Sequence, residues 1–219
     1  MEKKNTIMLA VIGLATLLVA VVGATFAYWS TNTAGATGKA VVTATTGKAD
    51  ASFTCAGTAI SLSVSAENMQ QAKSASNNFL AASATGTLTA NYTAPTGSSS
   101  SCKYDIVASW GNTSYKPSVA NTNSVKEFTI QITNPTGVTP TSNSVSSETQ
   151  IMQGTDGTTY KLPNNGTLVT GVSISGSNAA TVTQDWPITV KFYNLKSQNQ
   201  ASIADKTYTL NISCANVVC

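Results

Sequence analysis

The sequence contains no histidine and no arginine, so its 12 basic residues are all lysines. Without histidine, the chain cannot build histidine-based acid–base catalysis, Ser-His-Asp or Cys-His nucleophilic sites, or the usual histidine-containing zinc sites. Charged residues make up 10% of the chain, whereas about 25% is typical of soluble domains. The few carboxylates are scattered and form no calcium-loop motif. The sequence therefore predicts no catalytic, metal or cofactor site, and we do not expect an enzyme.

The positive charge is dispersed along the chain. The formal net charge is +3, and every lysine after Lys4 stands alone. Proteins that bind nucleic acids cluster their basic residues along a strand or helix. We therefore expect no nucleic-acid partner.

The first thirty residues have the organisation of an export signal. Lys3 and Lys4 precede an apolar run over residues 7–22, and small residues follow it. This order is typical of a secretory signal peptide. The run is also long enough to span a bilayer, since about 20 apolar residues cross the hydrocarbon core. In either case the positive-inside rule places the residues after Trp29 outside the cell.

Two small-x-small sites, ending at Ala24 and Ala27, are candidates for cleavage of this leader. Alternatively the leader stays uncleaved, with the aromatic residues that follow it at the membrane interface. The predicted domain organisation is a signal peptide or membrane anchor over 1–27, a mobile N-terminal arm or linker over 28–50, and a single β-sandwich domain over 51–219.

Short segments of alternating apolar and polar residues dominate the rest of the chain. In residues 60–65, for example, Ile60, Leu62 and Val64 alternate with serines. Eight or more such segments, separated by turn-forming clusters, favour an all-β fold with an antiparallel β-sandwich or jelly roll. The main predicted strands are 60–65, 86–94, 103–110, 127–133, 168–174, 187–195 and 206–213.

Residues 66–84 have a different composition, richer in helix-forming residues. Met69, Ala72, Ala75 and Phe79 recur at spacings of three and four, which is typical of one helix face. Poor helix formers over 76–78 favour an irregular loop instead. The fold class is therefore all-β, with an N-terminal hydrophobic signal helix and one short helix near 66–84 as the expected additions.

The four cysteines, Cys55, Cys102, Cys214 and Cys219, all follow the leader. An even number of cysteines in an exported chain favours two disulfides. Both a local pairing of neighbours in sequence and a pairing of an early strand with the C-terminal strand are open. A four-cysteine zinc site is the competing interpretation, although the paired C-x-x-C spacing is missing.

Five of the aromatic residues in or next to the predicted strands have two interpretations. They form a carbohydrate-binding platform if they are exposed, or a hydrophobic core if they share the inward strand faces. Their alternating positions favour the core. The residues are Tyr104, Trp110, Trp186, Phe192 and Tyr208.

The leader also resembles a known family over residues 3–30. Its end, Gly23-Ala24-Thr25-Phe26-Ala27-Tyr28-Trp29-Ser30, is similar to the Gly-x-Thr-aromatic-Ala stretch of the TasA/camelysin (CalY) family. These are exported bacterial proteins processed by a SipW-type signal peptidase. The resemblance implies cleavage between Ala27 and Tyr28. The chain departs from the family pattern at Thr31, where an acidic residue is common, and in having four cysteines.

The resemblance further implies a structural role. Such families form extracellular fibres of the biofilm matrix from jelly-roll subunits, and the N-terminal arm of one subunit completes the sheet of the next. The expected partners are copies of the chain or related matrix proteins, together with the signal peptidase, and membrane contact only through the N-terminal segment.

Cleavage after Ala27 would free an arm whose sizeable apolar anchors are Tyr28, Trp29, Val41 and Val42. β-Augmentation by such an arm supplies main-chain hydrogen bonds and alternate side-chain contacts. The alternative is a monomeric surface binding module or adhesin, either secreted or held in the membrane by an uncleaved leader.

Overall fold

The computed structural model describes residues 41–45, 51–71, 79–111, 115–118, 126–154, 160–195 and 198–219. The predicted signal helix therefore lies outside the described residues. The strands are β1 (Val41–Thr45), β2 (Ser52–Ala56), β3 (Thr58–Val64), β4 (Phe79–Thr93), β5 (Ser99–Trp110), β6 (Phe128–Ile132), β7 (Ser142–Asn143), β8 (Thr149–Gln150), β9 (Gln153–Gly154), β10 (Tyr160–Lys161), β11 (Thr167–Ser177), β12 (Thr181–Asn194) and β13 (Lys206–Val218). One short helix, α1 (Ala66–Gln71), follows β3.

Most of the strands belong to two sheets. The first sheet has the order β1-β2-β4-β12-β6-β8, and the second has the order β3-β13-β5-β11-β7. Strands β9 and β10 form a separate two-stranded ribbon. Every ladder between described strands is antiparallel. The inward faces of the two sheets share one buried core, so the predicted all-β antiparallel sandwich is confirmed.

The strand faces follow the alternation of the sequence. In β3, Ile60 and Leu62 are buried, whereas Ser61 between them is exposed. The Ser61 hydroxyl lies 3.0 Å from the hydroxyl of Thr209 on β13. Apolar side chains thus enter the core while hydroxyl side chains pair across the wet face, as a one-sided antiparallel sheet requires.

The chain changes sheets between β2 and β3. β2 ends at Ala56 and β3 begins at Thr58, so Gly57 alone separates a strand of the first sheet from the edge strand of the second. Strands that switch sheets form the corners of a sandwich. This corner brings the β1–β2 edge and strand β3 to the same side of the fold.

The predicted helix near 66–84 is confirmed only over residues 66–71. Phe79, which the helical spacing had assigned to the helix face, instead begins β4 opposite Asn194 of β12, and Leu80 follows it opposite Tyr193. Residues 72–78 lie outside the described residues. From Phe79 onward the chain forms a long ladder with β12 instead of a helix. Tertiary pairing of this kind routinely overrides a weak local helix propensity.

Candidate functional site

The edge of the first sheet at β1 is the candidate site, because it lies in the segment predicted as an arm. β1 pairs with β2 from Val41 opposite Ala56 to Thr45 opposite Ser52. Within the described part of the chain β2 is its only ladder partner. The rest of the predicted arm, 28–40 and 46–50, lies outside the described residues. β1 is thus a five-residue terminal strand held by one ladder.

The register of β1 separates its two valines. Val42 lies opposite Cys55, whereas Val41 lies opposite Ala56. Residues directly opposite each other in an antiparallel pair share a sheet face. Cys55 is fully buried and Ala56 is half-buried. Position 42 therefore belongs to the core-facing set of the strand, and position 41 belongs to the outward set.

β2 is anchored to the opposite sheet at two of its five residues. The ring of Phe53 lies 5.2 Å, centroid to centroid, from that of Tyr104 on β5. Cys55 forms a disulfide with Cys214 on β13, with the two Cα atoms 6.2 Å apart. Both inward-facing residues of β2 therefore contact strands of the second sheet, one by ring packing and one covalently.

Tyr104 is itself held by a buried polar chain. Trp186 Nε1 donates to the Tyr104 hydroxyl at 2.8 Å, and that hydroxyl donates to Gln184 Oε1 at 2.6 Å. Burial raises the pKa of Tyr104, partly offset by the hydrogen bond from Trp186, so the phenol stays neutral and able to donate. The ring against which Phe53 packs is therefore fixed in place.

The second disulfide joins Cys102 of β5 to Cys219. Together the two bonds select the pairing of early strands with the C-terminal segment, and the local pairing is not formed. The zinc alternative is also not formed, since all four sulfurs are in disulfides. In the described part of the chain, no group of three or more His, Cys, Asp or Glu residues could hold a metal ion.

A buried carboxylate that sequence reasoning missed lies just before β6. Glu127 is 1% exposed. Its carboxylate accepts the backbone N–H of Ser118 at 2.9 Å and Nε2 of Gln200 at 2.6 Å. It also accepts the hydroxyls of Tyr115 and Ser118. No sequence signal marks this cluster, since Gln200 lies 73 residues from Glu127.

The Glu127 cluster stabilises the fold by joining separate segments, and its groups are not arranged as a reactive site. Tyr115 packs its ring against Trp110, Phe128 and Tyr208. Burial, followed by the nearby negative charge of Glu127, raises the pKa of Tyr115 and keeps it protonated. A buried charge that receives four hydrogen bonds is well satisfied. The carboxylate therefore joins the 115–118 and 198–203 segments to the start of β6.

A surface ion pair lies farther along the first sheet. Lys191 Nζ on β12 is 3.0 Å from the Glu148 carboxylate, with both side chains partly exposed. Partial desolvation raises the pKa of Glu148, but hydrogen bonds from Tyr193, Lys191 and Thr129 outweigh it and hold the pKa below its usual value. The hydrogen bond to Glu148 raises the pKa of Lys191.

The aromatic residues are in the core, as their alternation predicted. Tyr104, Trp186, Phe192 and Tyr208 are buried, and Trp110 is partly buried against the same core. These residues therefore present no carbohydrate platform on the surface.

The predicted cleavage residues Ala27 and Tyr28, and the anchor Trp29, lie outside the described residues. Among the residues that are described, no helix is both long and apolar enough to cross a bilayer. Comparison with protein-family models, with curated proteins and with solved structures found no match in any of the three. The two sheets and the two disulfides define the described part of the chain as a disulfide-linked antiparallel β-sandwich.

Proposed function

We propose that the protein is an exported structural protein of the cell surface or biofilm matrix, whose subunits assemble into fibres by donor-strand exchange. The observation that carries the proposal is the position of β1. It is an edge strand of the first sheet with a single ladder, and along the chain it lies between the predicted cleavage site and β2. A strand in this position can leave its own sheet and complete the same edge of another copy.

The proposed subunit is a jelly roll, because the sandwich has two antiparallel sheets and its chain switches sheets at a corner near the edge. Head-to-tail exchange of β1 is a heterologous contact. It produces an open filament when the rotation between subunits does not close a ring. Assembly, rather than catalysis, is then the mechanism.

Export is supported by the leader and by the two disulfides. Both disulfides fit an oxidising compartment outside the cytosol, where such bonds persist. The resemblance of residues 23–30 to the TasA/camelysin leader implies removal of 1–27 by a SipW-type signal peptidase. N-terminal sequencing of material recovered from the cell surface tests this step. A start at Tyr28 supports it, whereas an intact Met1 in the membrane fraction supports the anchored alternative.

Imaging of the secreted chain by negative stain tests assembly itself. We expect filaments whose amount rises with protein concentration. A protein that stays monomeric at all concentrations and pH values would instead support the alternative of a monomeric surface binding module.

Removal of residues 28–49 tests the arm as donor. Because the deletion removes β1 but leaves β2 and the core, we expect a folded sandwich that no longer forms filaments. Filaments that survive this deletion would reject β1 as the exchanged strand.

A further inference from the structure

The strand that would receive an exchanged β1 is short. β2 has five residues, and it pairs with β4 from Ser52 opposite Thr93 to Ala56 opposite Thr89. When β1 leaves, β2 becomes the edge of the five strands that remain in the first sheet, and it keeps only this one ladder. A five-residue edge strand with a single ladder has few main-chain hydrogen bonds to oppose its local opening. An acceptor of this kind needs a second attachment.

The Cys55–Cys214 disulfide is such an attachment. Cys55 is 0% exposed and Cys214 is 4% exposed, so the bond crosses the core from one sheet to the other. Cys214 lies opposite Ile106 in the ladder between β13 and β5. β2 is thereby covalently joined to the interior of the second sheet, and this bond persists whether or not β1 is in place.

The same disulfide lies at the position that the donor strand must recognise. Cys55 is opposite Val42, and buried Phe53 is opposite Ala44. Neither β1 nor β2 contains a charged residue. Recognition between the two strands therefore depends on main-chain hydrogen bonds and on what fills the alternate core-facing positions.

We infer that the Cys55–Cys214 disulfide holds β2 in place as the acceptor for the Val41–Thr45 strand of a second copy, with Val42 of that strand opposite Cys55 in the ladder. This inference rests on the proposed function and names the acceptor side of the exchange. It assigns different roles to the two disulfides. Cys102–Cys219 joins β5 to the C-terminal residue and does not involve β2.

The second disulfide provides a matched control. The two bonds enclose similar lengths of chain, with sequence separations of 159 and 117 residues. Loop-closure entropy depends only on the logarithm of that length, so removal of either bond loosens the unfolded chain to nearly the same extent. When thermal unfolding shows that both variants are folded, a difference in assembly between them reports the position of the bond rather than the loss of a disulfide.

The experiment compares the full chain, exported with its own leader, with the double variants Cys55→Ala/Cys214→Ala and Cys102→Ala/Cys219→Ala. Fibre mass is measured by sedimentation and imaging at equal protein concentration, and folding is measured by cooperative thermal unfolding. We expect the first variant to lose fibre mass by about tenfold or more and the second to stay within about twofold of the parent. If the first variant does not unfold cooperatively, Cys55→Val/Cys214→Val replaces it, since valines refill the space of the sulfurs.

A second measurement distinguishes the loss of the acceptor strand alone from a loss of all assembly activity. The Cys55→Ala/Cys214→Ala chain keeps β1 and should still donate it, so a small amount added to the parent should enter fibres and shorten them. Equal fibre mass in both variants and the parent overturns the inference and leaves the proposed function intact. A parent that forms no fibres overturns both.

Discussion

Cys55 and Cys214 join the two sheets at equivalent places, each in the strand next to the edge on the same side of the sandwich. Their bond crosses a core that apolar contacts and the Tyr104 hydrogen-bond chain also stabilise. The corner at Gly57 runs between these two sheets immediately after β2. On this side of the fold, the two sheets are therefore joined both by the Gly57 connection and by the disulfide.

Removal of either disulfide should lower the free energy of unfolding by about 2–5 kcal/mol. We expect the larger loss for Cys55→Ala/Cys214→Ala, because both of its residues are buried and the missing sulfurs leave a void in the core. Cys219 is exposed, so Cys102→Ala/Cys219→Ala leaves a smaller void in the core. Urea unfolding followed by intrinsic fluorescence measures both values. The reverse order would contradict the burial argument.

The two valines of β1 should respond differently to a charge. Val42→Asp places a carboxylate at the core-facing position opposite Cys55, and we expect fibre assembly to fall about tenfold or more, since burial of an unpaired charge is strongly unfavourable. Val41→Asp places the same charge at the outward position opposite Ala56 and should have little effect. Sedimentation of the two exported chains makes the comparison. Equal losses would reject the register.

Glu127→Gln should destabilise the fold by about 2 kcal/mol. The N–H groups of Ser118 and Gln200 point at different oxygens of the carboxylate. An amide keeps only one oxygen, so one of these donors must face its NH₂ group whichever way it is turned. Thermal and urea unfolding measure the loss. The exposed Glu67→Gln is the control and should change stability by less than about 0.5 kcal/mol.

Lys191→Met should lower the stability by about 0.2–1 kcal/mol at neutral pH, as is usual for partly exposed pairs. The pKa of Glu148 in the folded protein lies below its ordinary value of 4.5. The pair therefore contributes stability above that ordinary pKa, and the contribution is lost as the pH falls through the lowered folded-state pKa.

Denaturant unfolding of parent and Lys191→Met chains between neutral and acid pH measures this difference. The two curves should converge at the acid end, and a difference that stays constant with pH would rule out the Glu148 charge as its source. Glu148→Gln is the partner control and should remove the same pH-dependent contribution.

Gly166→Ala should destabilise the protein by about 3 kcal/mol or more. Gly166 has a φ of +96°, and an added Cβ would lie 2.7 Å from the backbone oxygen of Ala108. Gly137 also has a positive φ, +77°, but an added Cβ there meets nothing within 4 Å. Gly137→Ala should therefore cost only the left-handed backbone strain of about 1–2 kcal/mol. Equal losses in urea unfolding would show that the contact with Ala108 relaxes freely.

Both the leader and most strand faces are patterns within short stretches of sequence. The structure tests the strand faces, whereas the leader lies outside the described residues. The alternation of Ile60, Ser61 and Leu62 predicted which side chains are buried in β3, because strand side chains point to opposite faces with a period of two. The same argument placed Trp186 and Tyr208 in the core. The fibre function and the cleavage after Ala27 stay predictions, since they depend on residues and partners beyond the described sandwich.

The helix that was predicted over 66–84 shows where local patterns fail. Phe79 continues the helical spacing that begins at Met69, yet it lies opposite Asn194 of β12, more than one hundred positions away. The Glu127 cluster is similar, because its members come from three separate segments. Neither arrangement has a signature within a short window of sequence.

The sequence by itself determined the all-β class and the inward faces of the main strands, because burial of alternate residues is a property of each segment alone. It also supplied an even number of cysteines. Only the tertiary structure decided that Cys55 bonds to Cys214, that β1 forms the edge beside it, and that Glu127 gathers two distant segments. These features depend on which strands become neighbours, and that is settled by the packing of the whole chain.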